Sequence, residues 1–154
     1  KVLMGTSLFR FPTVAKKITQ KYGSQALVAC ADFIKTSDRG YLIRRRRPQE
    51  LFATMDEFLS TLSDSCAGEL LLQSVDKDGT LEGLDLDVFH AVKKQVSMPI
   101  ILAGGVGNME DFRLGFQSGA TAIGCGSFFC FGDNNPLRVK SQLSNYGLPL
   151  KRIK

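Results

Sequence analysis

The chain has 154 residues, 44% of them hydrophobic and 23% charged, with a formal net charge of +5. That is long enough for one domain with a real core and ordinary for a soluble globular protein, and no apolar run approaches the roughly 20 residues that span a bilayer. One histidine and four cysteines without a CxxC pair argue against a bound metal and against a disulfide framework, and point to reduced thiols in a cytoplasmic protein.

No signal-peptide pattern opens the chain. Lys1 leads directly into the apolar run Val2–Met4, a strand without a lead-in, which reads as a piece of something longer. The strand ends at Gly5-Thr6. A helix follows, with Pro12 suited to its first turn and Gly23 to its C-terminal cap. Residues 26–31 (ALVACA) are continuously apolar, the pattern of a strand buried on both faces, and the run ends at Asp32. Residues 33–47 hold a hairpin, with Asp38-Arg39-Gly40 as its turn and Tyr41, Leu42 and Ile43 as one arm. A helix over about 49–65 puts Leu51, Phe52, Met55, Phe58, Leu59 and Leu62 on one face.

Residues 70–75 form the next strand. Asp85 caps a helix carrying Val88, Phe89 and Val92. Residues 99–103 form another strand, followed by a helix capped by Asn108 and closed by Gly119. Residues 122–125 make the last strand, and a final helix runs from near Pro136 to near Gly147. The count is five β/α units, with no linker or low-complexity segment.

Three of the strands end alike. ELLLQSVDKDGT (69–80), MPIILAGGVGN (98–108) and TAIGCGS (121–127) each pass from an apolar stretch to glycine beside Asp, Thr, Ser or Asn, then to a helix. Such turns hold phosphates at the C-terminal ends of barrel strands. No GxGxxG follows the first strand, which disfavours a doubly wound sheet. The fold class expected is α/β, a (β/α)8 TIM barrel present as a partial barrel of about five units. The three remaining units would precede Lys1. Arg44 to Arg47 supply most of the net charge, as a solvated loop edge or as a contact to substrate phosphate or a partner protein. Nucleic acid is disfavoured, because no aromatic-interleaved basic surface accompanies the run.

Five segments carry a family resemblance: GSQALVACAD (23–32), AGELLLQSVDKDGT (67–80), PIILAGGVGNMEDF (99–112), SGATAIGCGSFF (118–129) and FGDNN (131–135). Through them the chain resembles the cyclase subunit of imidazole glycerol phosphate synthase, the HisF family, over its whole length, as roughly the C-terminal three-fifths of that barrel. The resemblance implies an ammonia-dependent lyase of histidine biosynthesis. It would convert a bisphosphate ribonucleotide to imidazole glycerol phosphate and an aminoimidazole carboxamide ribotide, with ammonia from a glutaminase partner. It implies no metal and no organic cofactor, and neither a nucleic-acid nor a membrane partner.

Asp32 matches the family's second catalytic aspartate; the first would lie upstream. A carboxylate closing an apolar strand faces the barrel mouth, where partial loss of hydration suits it to proton transfer; as an ordinary strand-end Asp it would cap a turn. Gly79, Gly104, Gly105, Gly126 and Ser127 match one phosphate site, whose backbone N–H groups must approach the oxygens closely. Gly5 and Thr6 match part of another, and Asp78 and Thr80 match pocket-lining polar residues. Asp76 reads as a turn-forming carboxylate. Lys1 and Glu69 match a charged ring that admits ammonia at the opposite mouth, where plain barrel-bottom stabilisation is the other reading.

Several positions depart from the family pattern. Gly5 stands for the usual Asn, Gln73 for a small polar residue and Ala103 for Ser, and the arginine run replaces a glycine-rich loop. GCGSFF is closer to cyclase-type paralogues that serve sugar amidation in surface-polysaccharide pathways. Three readings therefore stand: the histidine-pathway cyclase, such a paralogue, or a phosphate-binding module in which Asp32 is structural. His90 reads as surface or packing, and Phe128, Phe129 and Phe131 as packing between barrel and helices.

Overall fold

The computed structural model describes residues 1–38, 40–44 and 52–148. The elements are β1 (Val2–Met4), α1 (Thr6–Arg10), α2 (Pro12–Tyr22), a 3-10 turn (Ser24–Ala26), β2 (Leu27–Thr36), β3 (Gly40–Ile43), β4 (Ala53–Thr54), α3 (Met55–Ser65), β5 (Glu69–Ser74), α4 (Leu86–Lys93), β6 (Ile100–Ala103), α5 (Met109–Ser118), β7 (Ala122–Gly124), α6 (Ser127–Cys130) and α7 (Pro136–Ser144). Strands β1, β2, β5, β6 and β7 are parallel neighbours in that order. Together with the helices between them they form a partial (β/α) barrel.

β2 organises the sheet. β5 lies along Val28 to Phe33 on one side. The other side is shared by β1, parallel at Leu27 to Ala29, and β3, antiparallel at Phe33 to Thr36. Alternation then sorts the side chains. Leu27, Ala29, Ala31 and Phe33, with Leu70, Leu72, Ile100 and Leu102, are buried beneath Leu8, Phe58, Leu62, Val88, Phe89 and Phe112 of the helices. Each buried Val, Leu, Ile or Phe contributes about 1.5–3 kcal/mol, and this layer is the core. On the other face, among the described strand residues, Val28, Cys30, Leu42 and Ala103 are buried, while Asp32, Leu71, Gln73 and Ile101 are half-exposed. The sheet thus has one closed face and one open, concave face.

The helix starts follow local chemistry. Thr54 and Asn108 form capping boxes with Glu57 and Asp111, and Asp85 and Asn135 accept from the backbone N–H of Val88 and Arg138. Such caps are worth about 1 kcal/mol each.

Four boundaries differ from the sequence expectation. The first helix is two, because Pro12 forces Phe11 out of the helical region (φ −134°, ψ 57°). β2 continues past Asp32 to Thr36, because the hairpin with β3 extends its ladder. The helix expected from residue 49 begins at Met55, since Ala53 and Thr54 pair with β3; Gln49 and Leu51 lie outside the described residues, and Phe52 is 47% exposed. The last helix ends at Ser144, ahead of Gly147. Arg39 of the hairpin turn and Arg45 to Arg47 also lie outside the described residues. Phe128 packs against Phe112 and Phe129, but Phe131 is 81% exposed and takes no part in that packing.

Candidate functional site

The register brings four residues into one row. Asp32 pairs with Gln73, Gln73 with Ala103, and Ala103 with Gly124. Paired residues share a face, so the row crosses the open side of the sheet. Two residues back on each strand lies a second row of Cys30, Leu71, Ile101 and Ala122. Ahead of the first row the chain leaves the strands through the three glycine turns. Together they enclose a cleft of about 690 Å³, lined by Asp32, Arg44, Leu71, Gln73, Val75, Asp78, Gly79, Ile101, Ala103, Gly104, Gly105, Val106, Gly124, Cys125, Gly126 and Ser127.

Two turns interlock. The Gly83 N–H donates to the Gly105 carbonyl at 2.7 Å. Gly105 has φ +98°, and a β-carbon there would collide with the Gly83 carbonyl oxygen. Conformation and packing therefore both require glycine at 105. Gly126 is different. Its φ of −114° is open to any residue, and nothing lies within 4 Å of where its β-carbon would be. Neither the backbone nor a protein neighbour requires glycine at 126, and the vacant space faces the cleft.

The polar side chains are individually placed. Asp32 is half-buried, and its Oδ1 accepts from Cys30 Sγ at 3.3 Å. Asp76 points away from the cleft, accepting the Lys35 N–H at 2.7 Å, a structural role that ties β2 to the turn after β5. Burial pushes the Cys125 thiol up to about 11, so it stays neutral at physiological pH and adds neither charge nor a thiolate to the site.

Of the residues marked by the sequence, Asp32, Asp78, Gly79, Gly104, Gly105, Gly126 and Ser127 line this one cleft. Gly5 and Thr6 do not. They follow β1, across β2 from the cleft, and Gly5 sits beside Cys30, a row below Asp32. Thr80 is exposed, and its hydroxyl is engaged within its own loop, donating to Lys77 O and accepting from Glu82 N. Lys1 and Glu69 form an ion pair at the N-terminal ends of β1 and β5, the mouth opposite the cleft. His90 is exposed, its ring edge against Phe89.

The sequence reading did not single out Leu71, Val75, Ile101, Val106 or Cys125. Strand alternation could have found Leu71 and Ile101, which stand two residues before Gln73 and Ala103. The other three lie in turns, where no period applies.

A parallel sheet whose strands alternate with helices and whose inner row opens into glycine turns defines a (β/α) barrel, here in partial form. The sequence profile described as histidine biosynthesis protein matches residues 1–135, and the chain belongs to that family. It is 36% identical over 155 residues to imidazole glycerol phosphate synthase subunit HisF of Chlorobium limicola. It is 35% identical over 159 residues to the subunit of the same name from Thermobifida fusca. A Prochlorococcus marinus protein, provisionally named imidazole glycerol phosphate synthase subunit hisF2, is 35% identical over 155 residues. Each alignment covers 98% of this chain but only 58% to 61% of the relative. The chain thus spans about three-fifths of the length of the curated relatives it matches.

Proposed function

We propose that the protein carrying this chain is the cyclase subunit of an imidazole glycerol phosphate synthase. It would act on a phosphorylated ribonucleotide in the cytoplasm, with ammonia delivered by a glutaminase subunit. One observation carries the reading. The Asp32 row and the Gly104-Gly105 and Gly126-Ser127 turns open into the same cleft. A carboxylate and a cradle of backbone N–H groups at one site fit proton transfer on a ligand held by its phosphate.

In this reading Asp32 moves the proton. Gly79, Gly104, Gly105, Gly126 and Ser127 hold the phosphate, and Asp78 borders it. The Lys1–Glu69 pair belongs to the ammonia entrance. The test uses the intact protein with ammonium as nitrogen source. Asp32→Asn should lower kcat by roughly 10²–10⁴-fold with substrate affinity unchanged. If turnover survives the substitution, the catalytic role of Asp32 is wrong; if the wild type binds phosphate but shows no turnover, a phosphate-binding module is the better account.

A second reading has its own support. Gln73 and Ala103, both departures from the family pattern, stand in the same row as Asp32, against the part of a ligand between its ends. A paralogue supplying ammonia for sugar amidation would keep the phosphate turns and change this row. Turnover of the ribonucleotide at rates typical of an enzyme would exclude that reading.

A further inference from the structure

Among the described residues lining the cleft, Gln73 alone carries a carboxamide. It stands on β5, between Asp32 of β2 and Ala103 of β6. Ala103 and Gly124 complete its row, and Leu71 and Ile101 lie in the row below. None of these four has a side-chain group that forms hydrogen bonds. Asp32 is the polar neighbour, and its Oδ1 already accepts from Cys30 Sγ at 3.3 Å. The Gln73 side chain is half-buried, yet it has no hydrogen-bond partner among the described residues. An amide in such a place gains from a ligand that supplies the missing partners.

The space beside it is shaped to match. Gln73 and Ala103 are register partners, the first longer and the second smaller than the residues usual at these positions. A β-carbon at Gly124 would press on that of Ala103 at 3.1 Å, so this end of the row carries almost no side chain. From β7 to β5 is two strand spacings, about 10 Å before curvature. A ligand held by its phosphate at the Gly126-Ser127 turn therefore lays its middle against Gln73.

We infer that Gln73 is a specificity-determining residue, whose carboxamide pairs with a neutral amide-type group of the ligand beside Asp32. This rests on the reading of the glycine turns as a phosphate site. A carboxamide presents a carbonyl oxygen and an N–H₂ side by side, and a second carboxamide answers both. A ligand carboxylate has no donor for the Gln73 oxygen and meets the charge of Asp32 besides. The small polar residue usual at this position offers one hydroxyl instead of this matched pair. Gln73 lies outside the core layer, so replacing it leaves that layer intact.

The experiment is calorimetric titration of the intact protein with two monophosphates, nicotinamide mononucleotide and the same pyridinium ribonucleotide without its carboxamide. The two probes differ in the group that Gln73 reads and share the ribose phosphate. Nicotinamide mononucleotide should bind roughly tenfold more tightly. Gln73→Met keeps the length of the side chain and removes its hydrogen-bonding groups. It should abolish the preference while leaving affinity for the unsubstituted nucleotide unchanged. Equal affinities in the wild type, or a preference that survives Gln73→Met, would overturn the inference. Equal weakening of both nucleotides would overturn it too, marking Gln73 as a residue of cleft shape. If the wild type binds neither probe, the phosphate reading of the glycine turns fails, and this inference falls with it. Binding of the unsubstituted nucleotide separates the two failures.

Discussion

Gly105 and Gly126 line the same cleft for different reasons. Gly105 is required by its own backbone angle and by the carbonyl of Gly83. Gly126 adopts an ordinary angle beside open space. Substitution should separate them. Gly105→Ala should destabilise the fold by about 2 kcal/mol or more, through strain at positive φ and the collision. Gly126→Ala should change stability by less than about 1 kcal/mol yet weaken monophosphate binding, because a β-carbon would occupy the ligand's approach. Thermal unfolding and calorimetry check the pair. If Gly126→Ala leaves phosphate affinity intact, the open space there is not a ligand's.

At the scale of elements, the hairpin of β2 and β3 is pinned where it can shape the cleft. Lys35 Nζ approaches Asp87 at 3.7 Å, and its N–H donates to Asp76. Tyr41 stacks edge-on against Phe33, and its hydroxyl is hydrogen-bonded to Asp85, the residue that caps α4. Burial, then the neighbouring charges of Asp85 and Asp87, push the Tyr41 hydroxyl from its ordinary 10.0 up to about 12. The folded state therefore favours the neutral phenol. This contribution is fully present below pH 10 and is lost as pH rises from about 10 to about 12. Alkaline denaturation followed by circular dichroism should show that loss, and Tyr41→Phe should flatten it. An unchanged pH profile in Tyr41→Phe would mean that the contact does not hold the hairpin.

At the scale of the molecule, the parallel sheet ends at β1 and β7, neither of which has a described strand on its outer side. Val2 and Leu3 of β1 are 46% and 55% exposed. Unpaired edges and uncovered apolar residues promote association. The 154-residue chain on its own should therefore associate with rising concentration in light scattering and lack cyclase activity with free ammonium. A monodisperse, active monomer would overturn both expectations. Much of this architecture was legible in the sequence, since the strand cores, the caps at Asp85 and Asn108 and the glycine turns all depend on neighbours along the chain. Periodicity and capping are local, so they survive in one dimension. The strand end expected at Asp32 moved to Thr36, and Thr80, expected to line the pocket, is not among the residues lining the cleft. Strand pairing and loop closure set those, and both depend on distant residues. Family membership, the alternating β/α order and the candidate residues Asp32, Gly104, Gly105, Gly126 and Ser127 came from the sequence by itself. Only the tertiary structure decided that these residues share one cleft, that Gln73 and Ala103 stand beside Asp32, and that Arg44 faces the same space. Lateral register between strands far apart in sequence is what brings them together, and no local pattern encodes it.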